Sequence, residues 1–270
     1  MVRLDQTIKE KIKTVKRPQQ SLGLNQAKKL NGDEVWKLFQ RQGWIDGVDR
    51  KPNPNIIDGV HRGEACAVIG SGFSAKGIDY SSLKNLITIA INHVIEVYTN
   101  PDYLIFQDHR FLRINKYDLN SFNGTMVIAN NNPMVKEAGN KNIITFMPTI
   151  DRKKIPKSIA NGLYHRKSTG LCALNLAIIM GCNPIYLLGC DMPRDYRETY
   201  NPEDGVHLDK NYRGGVDTMQ ALEQYEATFE LYEPFGKYQD RIINVCENGI
   251  IPWFKQMTMA NFNKKIGEMG

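Results

Sequence analysis

The chain of 270 residues lacks any long hydrophobic run. A membrane-spanning helix needs about 20 consecutive apolar residues, so we expect no transmembrane segment. The opening stretch, MVRLDQTIKEKIKTVKRPQQ, has no apolar core of the kind that a secretory signal requires. The five cysteines are an odd number and form no Cys-x-x-Cys pair, which argues against a disulfide framework or a zinc site. These absences favour a cytoplasmic protein with reduced thiols.

Several signature motifs are missing as well. The sequence contains neither the Gly-x-Gly-x-x-Gly of a dinucleotide site nor the Gly-Lys-Ser/Thr of a P-loop. It has no His-Glu-x-x-His and no regular set of carboxylates, so no metal site is predicted. A serine hydrolase of the Gly-x-Ser-x-Gly type is excluded too.

What the sequence does contain, from residue 63 onward, is a series of short apolar runs separated by helical segments. The runs are rich in β-branched and aromatic residues, which is typical of strands buried on both faces. The clearest helix is STGLCALNLAIIMG, which is apolar nearly all round and is therefore expected to be buried. This alternation predicts one α/β domain over residues 63–270, with a mostly parallel sheet flanked by helices. The runs are ACAVIG, LITIAI, YLIFQ, TMVIAN, NIITFM, PIYLLGC and RIINVC.

Residues 1–62 differ from this domain. They are polar, and GDEVWKLFQRQGW within them has the apolar spacing of an amphipathic helix, so we predict an N-terminal helical extension. The formal net charge is +6, and the first twenty residues hold six Lys or Arg against two acids. This bias is compatible with peripheral contact to an anionic surface or to nucleic acid, and equally with a solvated basic helix.

Polar and small residues cluster where the predicted strands end. Ligands of open parallel sheets bind beyond the carboxyl ends of the strands. Glycines there let a backbone approach a phosphate closely, and a helix that begins there directs its dipole at an anion. An ordinary strand-to-helix turn and an ordinary helix cap explain the same residues, so both interpretations stay open. The candidate ligand-binding residues are Gly70, Ser71, Gly72, Ser74, Asn92, Asp108, Ser168, Thr169, Gly170 and Asp191.

A long polar segment, residues 189–215, follows the PIYLLGC run. A loop of this length is usually an active-site lid or a disordered segment. Tyr196 and Tyr200 could hydrogen-bond a ligand, and His207 has the ordinary pKa of a general base, although a solvated histidine would look the same. Asp108 and Asp191 could hold Mg²⁺ together if the ligand were a triphosphate.

The order of these motifs resembles the bacterial lipooligosaccharide sialyltransferases, which use CMP-sialic acid and have a Rossmann-like sheet. The similarity covers roughly residues 64–255. It is carried by a strand followed by a glycine loop, a strand ending in Asn, a Ser/Thr-Gly helix start and a strand ending in Gly-x-Asp. The matching residues are Gly70, Gly72, Ser74, Ile78, Asp79, Tyr80, Asn92, Ser168, Thr169, Gly170, Gly181, Ile185, Tyr186, Leu187, Gly189 and Asp191.

The resemblance implies an inverting, metal-independent glycosyltransferase that needs no cofactor and uses a nucleotide-sugar donor and an unknown acceptor. The glycine loop and Asn92 would line the nucleotide site, and the Ser168–Gly170 segment would contact the donor phosphate and sugar. Tyr196 and Tyr200 would assist departure of CMP, and His207 would deprotonate the acceptor hydroxyl. An oligomer is compatible with this reading.

Two departures from the family pattern keep alternatives open. Its Asn-Gly-Pro-Ser loop is here Ser71-Gly72-Phe73-Ser74, and Asp108 stands where those transferases carry Asn. A strand-end aspartate is typical of the related archaeal-type pterin pyrophosphokinases, which move diphosphate from ATP with Mg²⁺. The third reading is a non-catalytic nucleotide- or nucleic-acid-binding protein that works through the basic N-terminus.

Overall fold

All seven apolar runs form strands in the computed structural model, and an eighth strand follows them. The structure describes residues 57–107, 122–129, 142–146, 154–165, 168–190, 231–246, 251 and 253–269. The strands are β1 (Cys66–Ile69), β2 (Ile87–Ile91), β3 (Tyr103–Phe106), β4 (Thr125–Ala129), β5 (Ile143–Phe146), β6 (Ile185–Leu188), β7 (Ile242–Val245) and β8 (Lys255–Met257). Within these residues they make a single sheet, in the order β5-β4-β3-β2-β1-β6-β7-β8, and every neighbouring pair is parallel. The predicted α/β fold with a parallel sheet is therefore confirmed.

Strand β8 is the one that the hydrophobic pattern missed. Its sequence is only Lys-Gln-Met, and Lys255 and Gln256 are exposed. It lies at the edge of the sheet and pairs with β7 alone. Because an edge strand need not be buried, it carries no apolar run for a sequence pattern to detect.

Two α-helices and five 3₁₀ helices are described around the sheet. Helix α1 (Thr169–Ile179) matches the prediction, and every residue from Leu171 to Ile179 is buried. Helix α2 (Met259–Gly267) is amphipathic instead and buries Phe262 and Ile266. The 3₁₀ helices are Phe73–Gly77, Tyr80–Asn85, Asn92–Glu96, Ile159–Asn161 and Glu233–Tyr238.

The sheet separates two apolar layers. Alternate residues of a strand point to opposite faces, so Cys66 and Val68 of β1 join the core on the α1 side while Ala67 and Ile69 join the core on the α2 side. Both cores consist of buried apolar side chains, with a few partly buried ones packed against them. This explains why the strand sequences are apolar throughout and do not alternate with polar residues.

Residues 57–64 close the carboxyl end of α1, and we call them the capping segment. The last carbonyls of a helix lack partners within the helix. Here the amides of Gly59, His61 and Gly63 donate to the carbonyls of Ile179, Met180 and Gly181, at 2.9, 2.9 and 3.0 Å. The capping segment therefore packs on the α/β core.

Gly181 fits the tight end of α1 beneath this segment. Its φ is +85°, and a Cβ there would lie 3.0 Å from the Cα of Arg62. Glycine at this position was expected from the sequence, because a left-handed residue commonly ends a helix.

Asn175 is a fully buried polar residue in α1. Its Oδ1 accepts a hydrogen bond from the amide of Tyr164 at 2.9 Å, and its Nδ2 donates to the carbonyl of Pro156 at 3.0 Å. Both partners belong to residues 154–165, an irregular segment with one 3₁₀ turn. Asn175 therefore satisfies the buried backbone of that segment and fixes it against the helix.

The predicted N-terminal extension lies almost wholly outside the described residues, so it stays a prediction, as does the domain boundary at residues 62 and 63. Among the described helices, none combines the length and the apolar character needed to cross a bilayer.

We predict that Asn175→Leu lowers the free energy of unfolding by about 2–4 kcal/mol, because leucine has similar volume but leaves a buried donor and a buried acceptor unsatisfied. Urea denaturation followed by circular dichroism measures the change. Asn261→Leu is the matched control, since Asn261 is exposed on α2. Equal stability of the two variants would contradict the role given to Asn175.

Candidate functional site

The strand order changes direction between β1 and β6. From β1 the chain proceeds through β2, β3, β4 and β5 on one side of the sheet, and from β6 through β7 and β8 on the other. In doubly wound sheets the point where the strand order reverses is called the switch point, and a crevice forms there beyond the carboxyl ends of the two strands. Ligands of doubly wound sheets bind at such a switch point. Gly70 and Gly189 directly follow the two strands at this place.

Gly70 and Gly189 bring the ends of β1 and β6 into close contact. Gly189 has φ +59°, a conformation that side chains with a Cβ rarely adopt. A Cβ on Gly189 would overlap the carbonyl oxygen of Gly70, and a Cβ on Gly70 would overlap the carbonyl oxygen of Gly189. Both positions therefore require glycine for a steric reason.

The amides of the first loop are partly committed to this junction. Gly70 donates to the carbonyl of Leu188 at 2.7 Å, and Gly72 donates to the carbonyl of Gly189 at 2.8 Å. We expected these glycines to offer their N–H groups to a phosphate. In the structure the amides of Gly70 and Gly72 already donate to backbone carbonyls. Ser71 and Ser74, which are half-buried, remain in the same loop as candidate contacts.

Asn92 is the residue with the most unusual geometry at this edge. It directly follows β2, the neighbour of β1, and begins the 3₁₀ helix Asn92–Glu96. Its φ is +48°, and among the described residues it alone has a positive φ without being glycine. Its Oδ1 atom is buried and has no hydrogen-bond partner there. A strained backbone and an unsatisfied buried polar atom in one residue are typical of a functional position.

The N-terminus of α1 lies at the same edge, because α1 runs back across the strands. Ser168 is the N-cap residue, yet its side chain makes no capping hydrogen bond. Its hydroxyl and the first-turn amides at Thr169 and Gly170 stand at the positive end of the helix dipole, which favours an anion. The structure thus places the Ser168–Gly170 segment at the same edge as Asn92 and the glycine loop.

Tyr232 and Gln107 belong to this region and were not among the predicted site residues. A Cβ on Gly170 would lie 3.3 Å from the hydroxyl of Tyr232, so this buried phenol stands over the first turn of α1. Gln107 directly follows β3, and its Nε2 donates to Sγ of Cys172 in α1 at 2.7 Å. No sequence signal shows either contact, because the partners are far apart along the chain.

Cys172 is not a nucleophile at this edge. The thiol is fully buried, and this burial raises its pKa well above the ordinary value, against the opposing effect of its hydrogen bond with Gln107. A thiol with a raised pKa stays protonated and unreactive. Cys190 alone among the five cysteines is only partly buried, and its Sγ would lie 3.3 Å from a Cβ on Gly70.

Five of the predicted site residues lie outside the described residues. Their positions and roles therefore stay predictions. The five are Asp108, Asp191, Tyr196, Tyr200 and His207.

The chain matches no family model and no curated protein, but its fold matches solved structures. The Maf glycosyltransferase from Magnetospirillum magneticum AMB-1 is similar at a TM-score of 0.51 and 16% identity, over 77% of this chain. The match spans 37% of the length of that protein. At this identity, the similarity shows a shared fold, a Rossmann-like α/β arrangement.

Two structures of the sialyltransferase CstII from Campylobacter jejuni are also similar. One is a complex with CMP-3FNeuAc, at 17% identity and a TM-score of 0.44, over 74% of this chain and 88% of that one. The other is a complex with cytidine-5′-monophosphate, at 14% identity and a TM-score of 0.42, over 74% and 87%.

We predict that Gly189→Ala destabilises the protein more than Gly63→Ala does. Gly63 also has a positive φ, +81°, but a Cβ there meets nothing within 4 Å. Gly63→Ala should therefore lower the free energy of unfolding only by the cost of the left-handed conformation, about 1–2 kcal/mol. Gly189→Ala adds an overlap with backbone, worth roughly 1–3 kcal/mol more. Urea unfolding compares them, and equal losses would show that the β1–β6 contact relaxes without cost.

Proposed function

We propose that this protein is a glycosyltransferase that moves a sugar from a CMP-activated donor to an acceptor hydroxyl, with inversion and without a metal. The order of the sequence motifs supports the donor class, and the fold shared with a glycosyltransferase supports the reaction class. A cytoplasmic location belongs to the same proposal. The observation that carries it is Asn92.

Asn92 combines a positive φ with a buried oxygen that lacks a hydrogen-bond partner, and we interpret this combination as a ligand contact. Residues held at unfavourable φ cost of the order of 1–3 kcal/mol, and a buried polar atom without a partner costs a similar amount. Such costs persist where function compensates for them. A ribose hydroxyl that donates to Oδ1 would satisfy the atom, and its place at the end of β2 is where a nucleotide in the crevice would reach.

The donor phosphate is assigned to the N-terminus of α1. The side chain of Ser168 is not used for capping, so its hydroxyl can donate to a phosphate oxygen. The dipole of an 11-residue helix adds a favourable interaction with negative charge, typically about 0.3–1 kcal/mol. This interaction strengthens as charge develops on the departing phosphate, which is how it would assist catalysis.

The reaction requires a base and a stabilised leaving group. In the proposed mechanism, the acceptor oxygen attacks the anomeric carbon from the face opposite the phosphate, and the bond from that carbon to the phosphate oxygen breaks. His207 takes the proton of the acceptor hydroxyl. Tyr196 and Tyr200 donate hydrogen bonds to the departing CMP. These three roles come from the resemblance to the sialyltransferases.

We predict that CMP alone raises the melting temperature and that Asn92→Gly weakens this effect. Ligand at about ten times its Kd stabilises by about 1.4 kcal/mol, or a few degrees for a protein of this size. Glycine tolerates the positive φ, so the variant removes the side chain without backbone strain. The unliganded melting temperature should be unchanged or higher, while CMP affinity falls about tenfold for a lost hydrogen bond.

Thermal shift with CMP, CDP, UDP, GDP and ATP, each with and without Mg²⁺, measures these effects, and Asn85→Gly serves as the control at an exposed position. Stabilisation only by ATP with Mg²⁺ would replace the proposal with a pyrophosphokinase. If no nucleotide stabilises the protein, both enzyme readings fail. Polyanion binding that is lost on deletion of residues 1–60 would then identify a binding protein that works through its basic N-terminus.

For His207→Ala we predict that transfer falls by about 10²–10⁴-fold while CMP binding is kept, since a general base acts on the acceptor and not on the nucleotide. Transfer is measured as release of CMP from a CMP-sugar in the presence of a panel of oligosaccharide acceptors. Unchanged turnover in this variant would remove His207 from the mechanism.

A further inference from the structure

A cavity of about 400 Å³ lies at the edge of the sheet opposite the candidate nucleotide site. It is lined by the loops that precede β3 and β4, by the first residues of those strands, and by His61 of the capping segment. Strands β3 and β4 are parallel, so their N-terminal ends share this edge. Each strand residue adds about 3.3 Å, so the full strand length separates the cavity from the crevice at the carboxyl ends.

Asp102 is held rigidly in the wall of this cavity. Its Oδ2 accepts hydrogen bonds from the amide and the hydroxyl of Thr88, both at 2.8 Å, and its own amide donates to the same hydroxyl at 2.9 Å. Both of these hydrogen bonds from Thr88 go to Oδ2, and among the described residues none is given to Oδ1. Asp102 is exposed and lines the cavity, so Oδ1 is an acceptor that a ligand can use.

His61 forms a second fixed wall. Its Nδ1 lies 3.1 Å from Oε1 of Glu64, and its Nε2 lies 2.9 Å from the hydroxyl of Tyr103. The ring meets Tyr103 edge to face, with centroids 5.7 Å apart. Burial, followed by the charge of Asp102, raises the pKa of Tyr103 to about 12, so the phenol keeps its proton. Both ring nitrogens of His61 are thus engaged, and its orientation is set before any ligand arrives.

Gly124 locks together the two loops that form the floor. A Cβ there would lie 2.5 Å from the carbonyl oxygen of Pro101 and 2.7 Å from that of Asp102. The amide of Thr125 donates to the same Asp102 carbonyl at 2.8 Å. The loops are therefore fixed by backbone contacts, and the cavity is preformed. Preformed sites lose less conformational entropy on binding.

The charge of the cavity narrows the ligand class. Its lining contains one carboxylate, the amides of Asn100 and Asn123 and the hydroxyl of Thr125, but no Lys or Arg among the described residues. Glu64 adds a second carboxylate behind His61. An anion such as a nucleotide phosphate would be repelled here, whereas hydroxyl groups can both donate to the carboxylate and bond the amides.

We propose that this cavity is a binding site for a neutral sugar residue, in which Asp102, Asn100 and Asn123 bond the ring hydroxyls while the ring of His61 contacts a C–H face. Its size falls in the range of small-molecule sites, about 300–1,000 Å³ with a few placed polar groups. The site is separate from the proposed donor site and rests on different residues.

Saturation-transfer-difference NMR on the full chain tests this with methyl β-glucoside, methyl β-galactoside and N-acetylglucosamine as probes. At least one should give a signal. Asp102→Asn keeps an oxygen for Thr88 but replaces the free acceptor with a donor, and Asn100→Ala/Asn123→Ala removes both amides. Each variant should lower the affinity for the sugar probe about tenfold or more. The matched control is Asn85→Ala/Asn261→Ala, at two exposed positions elsewhere.

Three results would overturn the proposal. The first is that no sugar gives a saturation-transfer signal. The second is a sugar signal that is unchanged in both cavity variants. The third is a signal only from an organic cation such as choline. The Asn92→Gly variant separates this site from the donor site, because it should leave the sugar signal unchanged while it lowers the affinity for CMP. Either proposal can therefore fail without the other.

Discussion

The backbone contact between Gly70 and Gly189 is the constraint on which the candidate site depends. Strands β1 and β6 are neighbours inside the sheet, and the strand order reverses between them. The pair stays joined past its last strand residues because the amides of Gly70 and Gly72 bond the carbonyls of Leu188 and Gly189. In the proposed function, the ligand-binding crevice begins beyond this closed junction. Asn92, one strand away, and the start of α1 can then face the same ligand.

Helix α1 gives the two edges of the sheet different chemistry. At its C-terminus the amides of the capping segment satisfy the last carbonyls, so the negative end of the dipole is covered by protein. At its N-terminus the side chain of Ser168 leaves the cap unmade. Every residue from Leu171 to Ile179 is buried, so packing against the core holds the helix in place. The unused hydroxyl of Ser168 at the positive end of the dipole is the feature on which the proposed phosphate site depends.

The fold was predictable from the sequence because its central strands are buried on both faces and read as unbroken apolar runs. Strand β8 was not, since its exposed Lys255 and Gln256 follow no such pattern. In the site, the place of Asn92 could be predicted from the strand that precedes it. Its positive φ and unpaired oxygen could not, because they depend on how the whole edge packs. The commitment of the amide of Gly70 to Leu188 was likewise hidden, since it joins two distant parts of the chain.

Parallel strands and an antiparallel helix together place the positive end of the α1 dipole at one edge of the sheet and the carboxylate of Asp102 at the other. The carboxyl edge offers the hydroxyl of Ser168 and the start of α1, which suit a charged nucleotide donor. The N-terminal edge offers Asp102 beside His61, which suits a neutral polyol and repels phosphate. A transferase with this division would confine its charged substrate to one edge and hold an uncharged sugar at the other. Discrimination between the two then comes from charge, and neither site needs to exclude the other's ligand by shape.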